Sequence, residues 1–258
     1  MIRLEHVSKT YVTQRGDLVP ALEDISLEVS ENEFMTIVGP SGCGKSTLLK
    51  LTSGLSPANQ GTIHVREKRV TEPLPDVGFV FQHPVLLPWR TVLENVMFSI
   101  EMLGLNHRAY NGRALDLLQL TGLGGFETKY PHELSGGMQQ RAAICRALVH
   151  DPSLLLMDEP FGALDAMTRE EMGLELLRIW EERRKTILFV THSIPEAIML
   201  ADRVVVMTPR PGRIARIIHV DLPRPRALEM EFSDSFKSYC QEVRGLIFAP
   251  AKERVDVQ

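Results

Sequence analysis

Gly39-Pro40-Ser41-Gly42-Cys43-Gly44-Lys45-Ser46-Thr47 has the spacing of a loop that wraps phosphate. Its glycines let successive amides point into one concavity, and the helix expected after it adds its positive end there. At this spacing Lys45 would reach the β- and γ-phosphates of a nucleotide, and Ser46 would ligate Mg²⁺. A second centre is the apolar run Leu154-Leu155-Leu156-Met157, which closes on Asp158 and Glu159. A carboxylate at the carboxyl end of a buried strand lies where doubly wound sheets place ligands. Asp158 would hold Mg²⁺ through water, and Glu159 would polarise the water that attacks the γ-phosphate. Phosphoryl transfer depends mainly on positioning and charge neutralisation, so these groups supply most of such a site. A third stretch, Leu134-Ser135-Gly136-Gly137-Met138, is another amide-rich helix start able to take phosphate. On local chemistry alone the alternative is that Ser135 is an ordinary helix cap.

These residues need a scaffold that ends several strands side by side. Short apolar runs suited to buried parallel strands recur at 33–38, 77–81, 154–157, 186–190 and 204–207. A helix is expected over 45–51, directly after the phosphate loop, and the alternation of strands and helices predicts an α/β fold with a parallel sheet. The segments 2–7 and 25–29 alternate polar and apolar residues and read as antiparallel strands, with 62–65 joining them. Helices are expected over 91–103, 111–120 and 137–150, and a mostly helical insert over about 84–140. After Arg210 the chain turns Pro- and Arg-rich, and 221–258 is expected to be a short tail packed on the core. Its expected helix, 233–248, continues a helical spacing of Phe232, Phe236, Tyr239 and Val243.

Composition narrows the class. The 258 residues are 44% hydrophobic and 24% charged, ordinary for a soluble α/β chain. The formal net charge of −4 gives no basic field for nucleic acid. No stretch approaches the roughly 20 apolar residues that span a bilayer, so service to a membrane would come from outside it. The charged start, Met1-Ile2-Arg3-Leu4-Glu5, is unlike a signal peptide. Cys43, Cys145 and Cys240 are odd in number and far apart, which fits a reducing compartment and no metal cluster.

Leu134-Ser135-Gly136-Gly137-Met138-Gln139-Gln140-Arg141, about twenty residues upstream of the acidic strand end, resembles the signature motif of ATP-binding cassette (ABC) ATPases. Further elements follow in the family's order. Tyr11 is similar to the aromatic residue that stacks on adenine, and Gln82 to the loop glutamine that contacts Mg²⁺ and the attacking water. Ala163-Leu164-Asp165 resembles the D-loop, and His192 the switch histidine that holds the γ-phosphate. The resemblance covers about residues 1–220. It implies a P-loop NTPase (RecA-like) core, an N-terminal antiparallel β-subdomain and an inserted helical subdomain. It also implies ATP and Mg²⁺ as ligands. Two subunits, a homodimer or a pair with a similar cassette, would hold two ATP between one phosphate loop and the other's Ser135, Gly136, Gly137 and Asp165.

Residues 86–96 (Leu-Leu-Pro-Trp-Arg-Thr-Val-Leu-Glu-Asn-Val), 157–166 and 209–214 resemble the subgroup that imports nitrate, taurine and alkanesulfonates. That resemblance implies an ATPase subunit on the cytoplasmic face of the inner membrane. Its permease subunits would be contacted through 82–95, and a separate solute-binding protein would be served indirectly. A soluble cassette acting on nucleic acid or ribosomes, and an exporter subunit, share the same ATP motifs; the Leu-Pro-Trp and Arg-Pro-Gly-Arg stretches favour the importer. Cys43, placed among phosphate-binding amides at a helix start, is expected to favour its thiolate and to react with alkylating agents unless ATP covers it.

Overall fold

A computed structural model describes residues 1–248 of the chain. β1 (Ile2–Val12) and β2 (Leu18–Val29) alternate buried with exposed positions, so each offers one apolar face. They pair antiparallel, and β1 pairs on its other edge with β4 (Gln60–Val65). The short β5 (Lys68–Arg69) completes a four-stranded sheet in the order β2-β1-β4-β5. Both opening strands run longer than the expected segments 2–7 and 25–29, since pairing carries them beyond their apolar alternation.

The second sheet contains β3 (Phe34–Val38), β6 (Val77–Val80), β7 (Leu154–Asp158), β8 (Thr186–Val190), β9 (Arg203–Met207) and β10 (Ile214–His219). Its order is β10-β9-β3-β8-β7-β6. β3, β7 and β8 are buried at every residue, the burial that a parallel sheet covered on both faces produces. β10 extends the strand series past β9, pairing with it antiparallel. It is half exposed and carries Arg216, so it has no continuous apolar run by which to recognise it.

Register levels the strand ends. Val190 of β8 stands opposite Ile37 of β3 on one side and Asp158 of β7 on the other, while Met157 faces Val80 of β6. At this one edge the chain therefore leaves four strands, at Gly39, Phe81, Glu159 and Thr191.

Seven helices cover the sheets: α1 (Lys45–Thr52), α2 (Val92–Met102), α3 (His107–Leu120), α4 (Gly136–Leu148), α5 (Ala166–Arg183), α6 (Ile194–Leu200) and α7 (Asp234–Phe248), counted among the described residues. α1 buries Leu48, Leu49 and Leu51 between the two sheets with Ile2, Ile25 and Ile37. α2, α3 and α4 share a cluster built on Val96, Ile100, Leu118 and Leu148. α2 opens with a full capping box, Thr91 and Glu94 each satisfying the other's backbone amide. α3 starts at His107 rather than 111 because Asn106 caps it, accepting from the Arg108 amide.

On the opposite face α6 and α7 pack together, Phe236 and Val243 joining Ile198 and Val204. Phe232 does not join that stripe. It ends a 3₁₀ turn at Leu228–Phe232 and is 78% exposed, because Ser233 caps the next helix through the Phe236 amide and resets the phase. No described helix is long and apolar enough to cross a membrane.

Candidate functional site

β3 delivers the chain into the phosphate loop. The loop closes on one backbone bond, from the Cys43 amide to the Pro40 carbonyl at 3.3 Å. Gly44 enters α1 at φ 106°, and a Cβ there would meet Leu22 Cδ2 at 2.6 Å and the Ala21 carbonyl at 2.9 Å. Both the conformation and the lack of room demand glycine. Among the described residues the amides of Gly42, Gly44 and Ser46 donate to no acceptor in the chain, while the Lys45 amide donates to the Cys43 thiol. Three open donors at a helix start make a cradle for an anion. Lys45 is 6% exposed, and its Nζ donates to the carbonyls of Gly39 at 2.9 Å and Pro40 at 3.2 Å. An arriving phosphate would offer that ammonium charged oxygens, a stronger class of bond.

The acidic strand end lies beside this loop. Ser46 Oγ donates to Asp158 Oδ1 at 2.9 Å. Burial pushes the Asp158 carboxyl up from its ordinary value; the Ser46 bond opposes this, and the charge of Glu159 adds to it. A buried carboxylate next to a hydroxyl is an oxygen pair suited to a hard cation, so Ser46 and Asp158 fit Mg²⁺, which takes few protein ligands beside phosphate and water.

Glu159 sits at φ 48°, in the left-handed region that costs a non-glycine residue about 1–3 kcal/mol. Its amide donates to the Val190 carbonyl at 2.9 Å, and its carbonyl accepts from the Gly162 amide at 3.1 Å. This backbone turns the side chain toward two neighbours. Gln82 Nε2 donates to Glu159 Oε2 at 3.2 Å, and His192 Nδ1 lies 3.2 Å from the same oxygen. Tyr11 is also brought to the phosphate loop: its hydroxyl donates to Thr47 Oγ1 at 3.5 Å, and the ring stays partly exposed with Lys9 Nζ 5.1 Å from its centroid.

Ser135, Gly136, Gly137 and Asp165 form no hydrogen bond with the phosphate loop among the described residues. Ser135 Oγ accepts the Met138 amide at 3.2 Å and starts α4. Asp165 caps α5 through the Thr168 amide at 3.1 Å and hydroxyl at 2.7 Å. α4 packs against β6, which stands three strands from β3, a separation of about 14 Å at ordinary strand spacing. Gly137 backs onto the Ala163-Leu164-Asp165 stretch instead, since a Cβ there would lie 3.2 Å from Leu164 Cδ2.

The reactive thiol expected at Cys43 is corrected by the structure. Cys43 is 1% exposed and belongs to the inter-sheet cluster with Ile37, Leu48 and Met207. Burial pushes its thiol up, and the nearby Lys45 only partly opposes that. The amides of the loop line the cradle while this side chain fills the core.

Two further residues, each inside a stretch that carries the subgroup resemblance, shape the site without being singled out by the sequence. Asn95 of α2 is fully buried; its Nδ2 donates to the carbonyls of Leu87, Arg90 and Thr91, and its Oδ1 accepts the Leu87 amide. It thereby fixes a loop on which Trp89 is 70% exposed, with Pro88 exposed and Leu87 half-buried. The Gly212 amide donates to the Ala21 carbonyl, and its carbonyl accepts the Glu23 amide, binding the 209–214 stretch to β2 beneath the phosphate loop. A polar residue on an otherwise apolar helix face is the sequence signal for Asn95; Gly212 has none beyond its place in the Arg-Pro-Gly-Arg stretch.

Residues 22–162 match the family model described as ABC transporter. The aliphatic sulfonates import ATP-binding protein SsuB of Bacillus cereus is 44% identical, over 95% of this chain and 98% of its own. The taurine import ATP-binding protein TauB of Rhizobium johnstonii is 42% identical, over 96% of each. Among solved structures, the dimeric post-hydrolysis state of the ATP-binding cassette MJ0796, bound to ADP and Pi, is similar with a TM-score of 0.78 and 33% identity. That match covers 86% of this chain and all of the other.

Proposed function

The chain belongs to the ABC transporter family and is an ATP-binding, ATP-hydrolysing cassette; from that premise we propose that it powers import of a small solute of the sulfonate, taurine or nitrate type through separate membrane subunits. Likeness to the SsuB and TauB import proteins supports the importer reading. The observation that carries the hydrolytic chemistry is the meeting of Gln82 and His192 at one oxygen of Glu159, next to the Ser46–Asp158 pair. Lys45 and the amides of residues 39–47 take the β- and γ-phosphates of ATP, and Tyr11 stacks on adenine. Ser46, Asp158 and Gln82 hold Mg²⁺, which when bound supplies positive charge that neutralises the phosphates. Glu159 accepts a proton from the attacking water, and His192 holds the γ-phosphate.

A second cassette, identical or similar, contributes Ser135, Gly136, Gly137 and Asp165 to the open side of each site. Ser135, Gly136 and Asp165 are exposed and Gly137 is half-buried, which supports this, as does the dimeric form named for the similar MJ0796 cassette. Residues 1–220 act as the ATP-binding domain, with the helical insert at about 84–140, and 221–248 as a tail on the core; the last ten positions of the expected 221–258 tail lie outside the described residues. The 82–95 region, with Trp89 outermost, receives the permease at the cytoplasmic face of the membrane. Solute is chosen by the permease and a binding protein, and the net charge of −4 argues against a nucleic-acid partner. Affinity purification from the native membrane tests this reading. It should bring down a polytopic permease and, after crosslinking, a solute-binding protein. A soluble assembly with RNA or DNA would overturn it.

A further inference from the structure

α4 carries the Ser135-Gly136-Gly137 start on its first turn. Gln140 lies on the same face as Gly136, one turn further along. It is fully buried, and its Nε2 donates to the Phe81 carbonyl at 3.1 Å. Phe81 is the residue before Gln82, whose own amide reaches Glu159. Gln140 Oε1 is buried too and has no hydrogen-bond partner among the described residues. A buried amide with half its polarity unmatched is poorly suited to stabilising a core, and such a group calls for another explanation. Six residues on, Arg146 donates to the carbonyls of Val85 at 2.8 Å and Pro84 at 3.0 Å. The backbone on both sides of Gln82 thus hangs from side chains of α4, while the Gln82 side chain, among the described residues, bonds to Glu159 alone.

We infer that Gln140 is a positioning residue for hydrolysis. It ties the Ser135–Gly137 helix to the peptide that aims Gln82 at Glu159. A shift of α4 on engagement of its amino terminus moves the Phe81 carbonyl with it, so occupancy at that terminus is reported to the water-handling end of the other half-site through one hydrogen bond. This rests on the reading of Gln82 and Glu159 as hydrolytic residues.

Steady-state ATP hydrolysis by the full chain, measured for Gln140→Leu, Gln82→Ala and the double variant, tests it. Gln140→Leu should lower kcat by about tenfold, the factor one well-placed hydrogen bond supplies, and leave KM for ATP within about twofold. In the Gln82→Ala background the same substitution should change kcat by less than about twofold, because the group it positions is gone. An unchanged kcat in Gln140→Leu, or an equal tenfold loss in both backgrounds, overturns the inference; the second result would mark Gln140 as a packing residue only. Gln140→Met keeps the length without the donor and goes through the same cycle if the leucine variant does not fold. If Gln82→Ala alone hydrolyses at the parent rate, the underlying reading of Gln82 fails, a result the cycle separates from failure of Gln140.

Discussion

The starts of α1 and α4 are the same physical device in two conditions. Both are glycine-rich and both present helix-terminal amides to an anion. At α1 no side chain caps the helix, Gly44 is held at φ 106°, and Lys45 lies folded onto its own loop carbonyls. Asp158 and Glu159 stand beside it, one bonded to Ser46 and the other to Gln82. At α4 the cap is filled by Ser135, Ser135 and Gly136 are exposed, and among the described residues neither a lysine nor a carboxylate of the acidic strand end is bonded to it. One start comes with what is needed to hold and hydrolyse a triphosphate from one side. The other offers donors alone. On the proposed function they are complementary halves rather than duplicates, and no hydrogen bond among the described residues joins them within one chain.

The most forceful way to sharpen that contrast is at the α1 side. Glu159→Gln keeps the size of the side chain and removes the proton acceptor. ATP hydrolysis should fall by about a hundredfold or more, with ATP binding retained. Turnover at the parent rate would remove Glu159 from the chemistry. Lys45→Ala acts on binding instead. Losing a charge-assisted bond to phosphate should weaken ATP affinity roughly 10- to 100-fold, read by fluorescent-nucleotide titration. Unchanged affinity would mean that the amides alone hold the phosphates.

The contrast itself can be broken by mixing. Gly137→Asp places a carboxylate on the α4 amides and crowds Leu164, so it should silence that half without touching Lys45. Each variant alone, Lys45→Ala or Gly137→Asp, is expected to be nearly inactive. Mixed in equal amounts they should recover up to about a quarter of parent activity, because half of the pairs then contain one intact composite site out of two. If mixing restores nothing while pairs demonstrably exchange, the two starts do not serve one site across a subunit boundary.

How far this was legible in the sequence depends on whether a feature is contiguous. The phosphate loop and the acidic strand end are local patterns, so Lys45, Ser46, Asp158 and Glu159 are nameable without a fold. The meeting of Gln82 and His192 at Glu159 spans separations of 77 and 33 residues. It follows only from the register that levels β6, β7 and β8. α5 and α6 lie outside the segments that apolar periodicity predicts: α5 buries one narrow stripe around Leu176 and Trp180, and α6 is seven residues long. β10 is hidden by its half-exposed composition. Cys43 shows the limit of a local electrostatic argument. The field at a helix start favours a thiolate, yet the side chain is turned into the core, where desolvation decides. Gln140 and Asn95 are legible only once helix phase is known, as polar groups on buried faces.

The smallest effect expected concerns what the α1 half-site costs the empty chain. Burial raises the Asp158 carboxyl above its ordinary value of 3.8, so its ionised form is less favourable in the folded chain than in the unfolded one. A carboxylate shifted this way withholds stability at neutral pH, and that stability is regained as pH falls through the raised value and the group takes up a proton. Asp158→Asn removes the charge while leaving an oxygen to accept the Ser46 hydroxyl. The nucleotide-free variant should therefore melt higher than the parent at neutral pH, by about 2 °C in a chain of this size. The gain should vanish in acid below both the folded and the unfolded values, where the parent carboxyl is neutral as well. With Mg-ATP the order should reverse, because the parent gains stability by binding and the variant has lost a charged metal ligand. A variant that melts lower without nucleotide would mean that the Ser46–Asp158 bond contributes more than the buried charge costs. The α1 half would then be settled in isolation, rather than held in a condition that its ligand relieves.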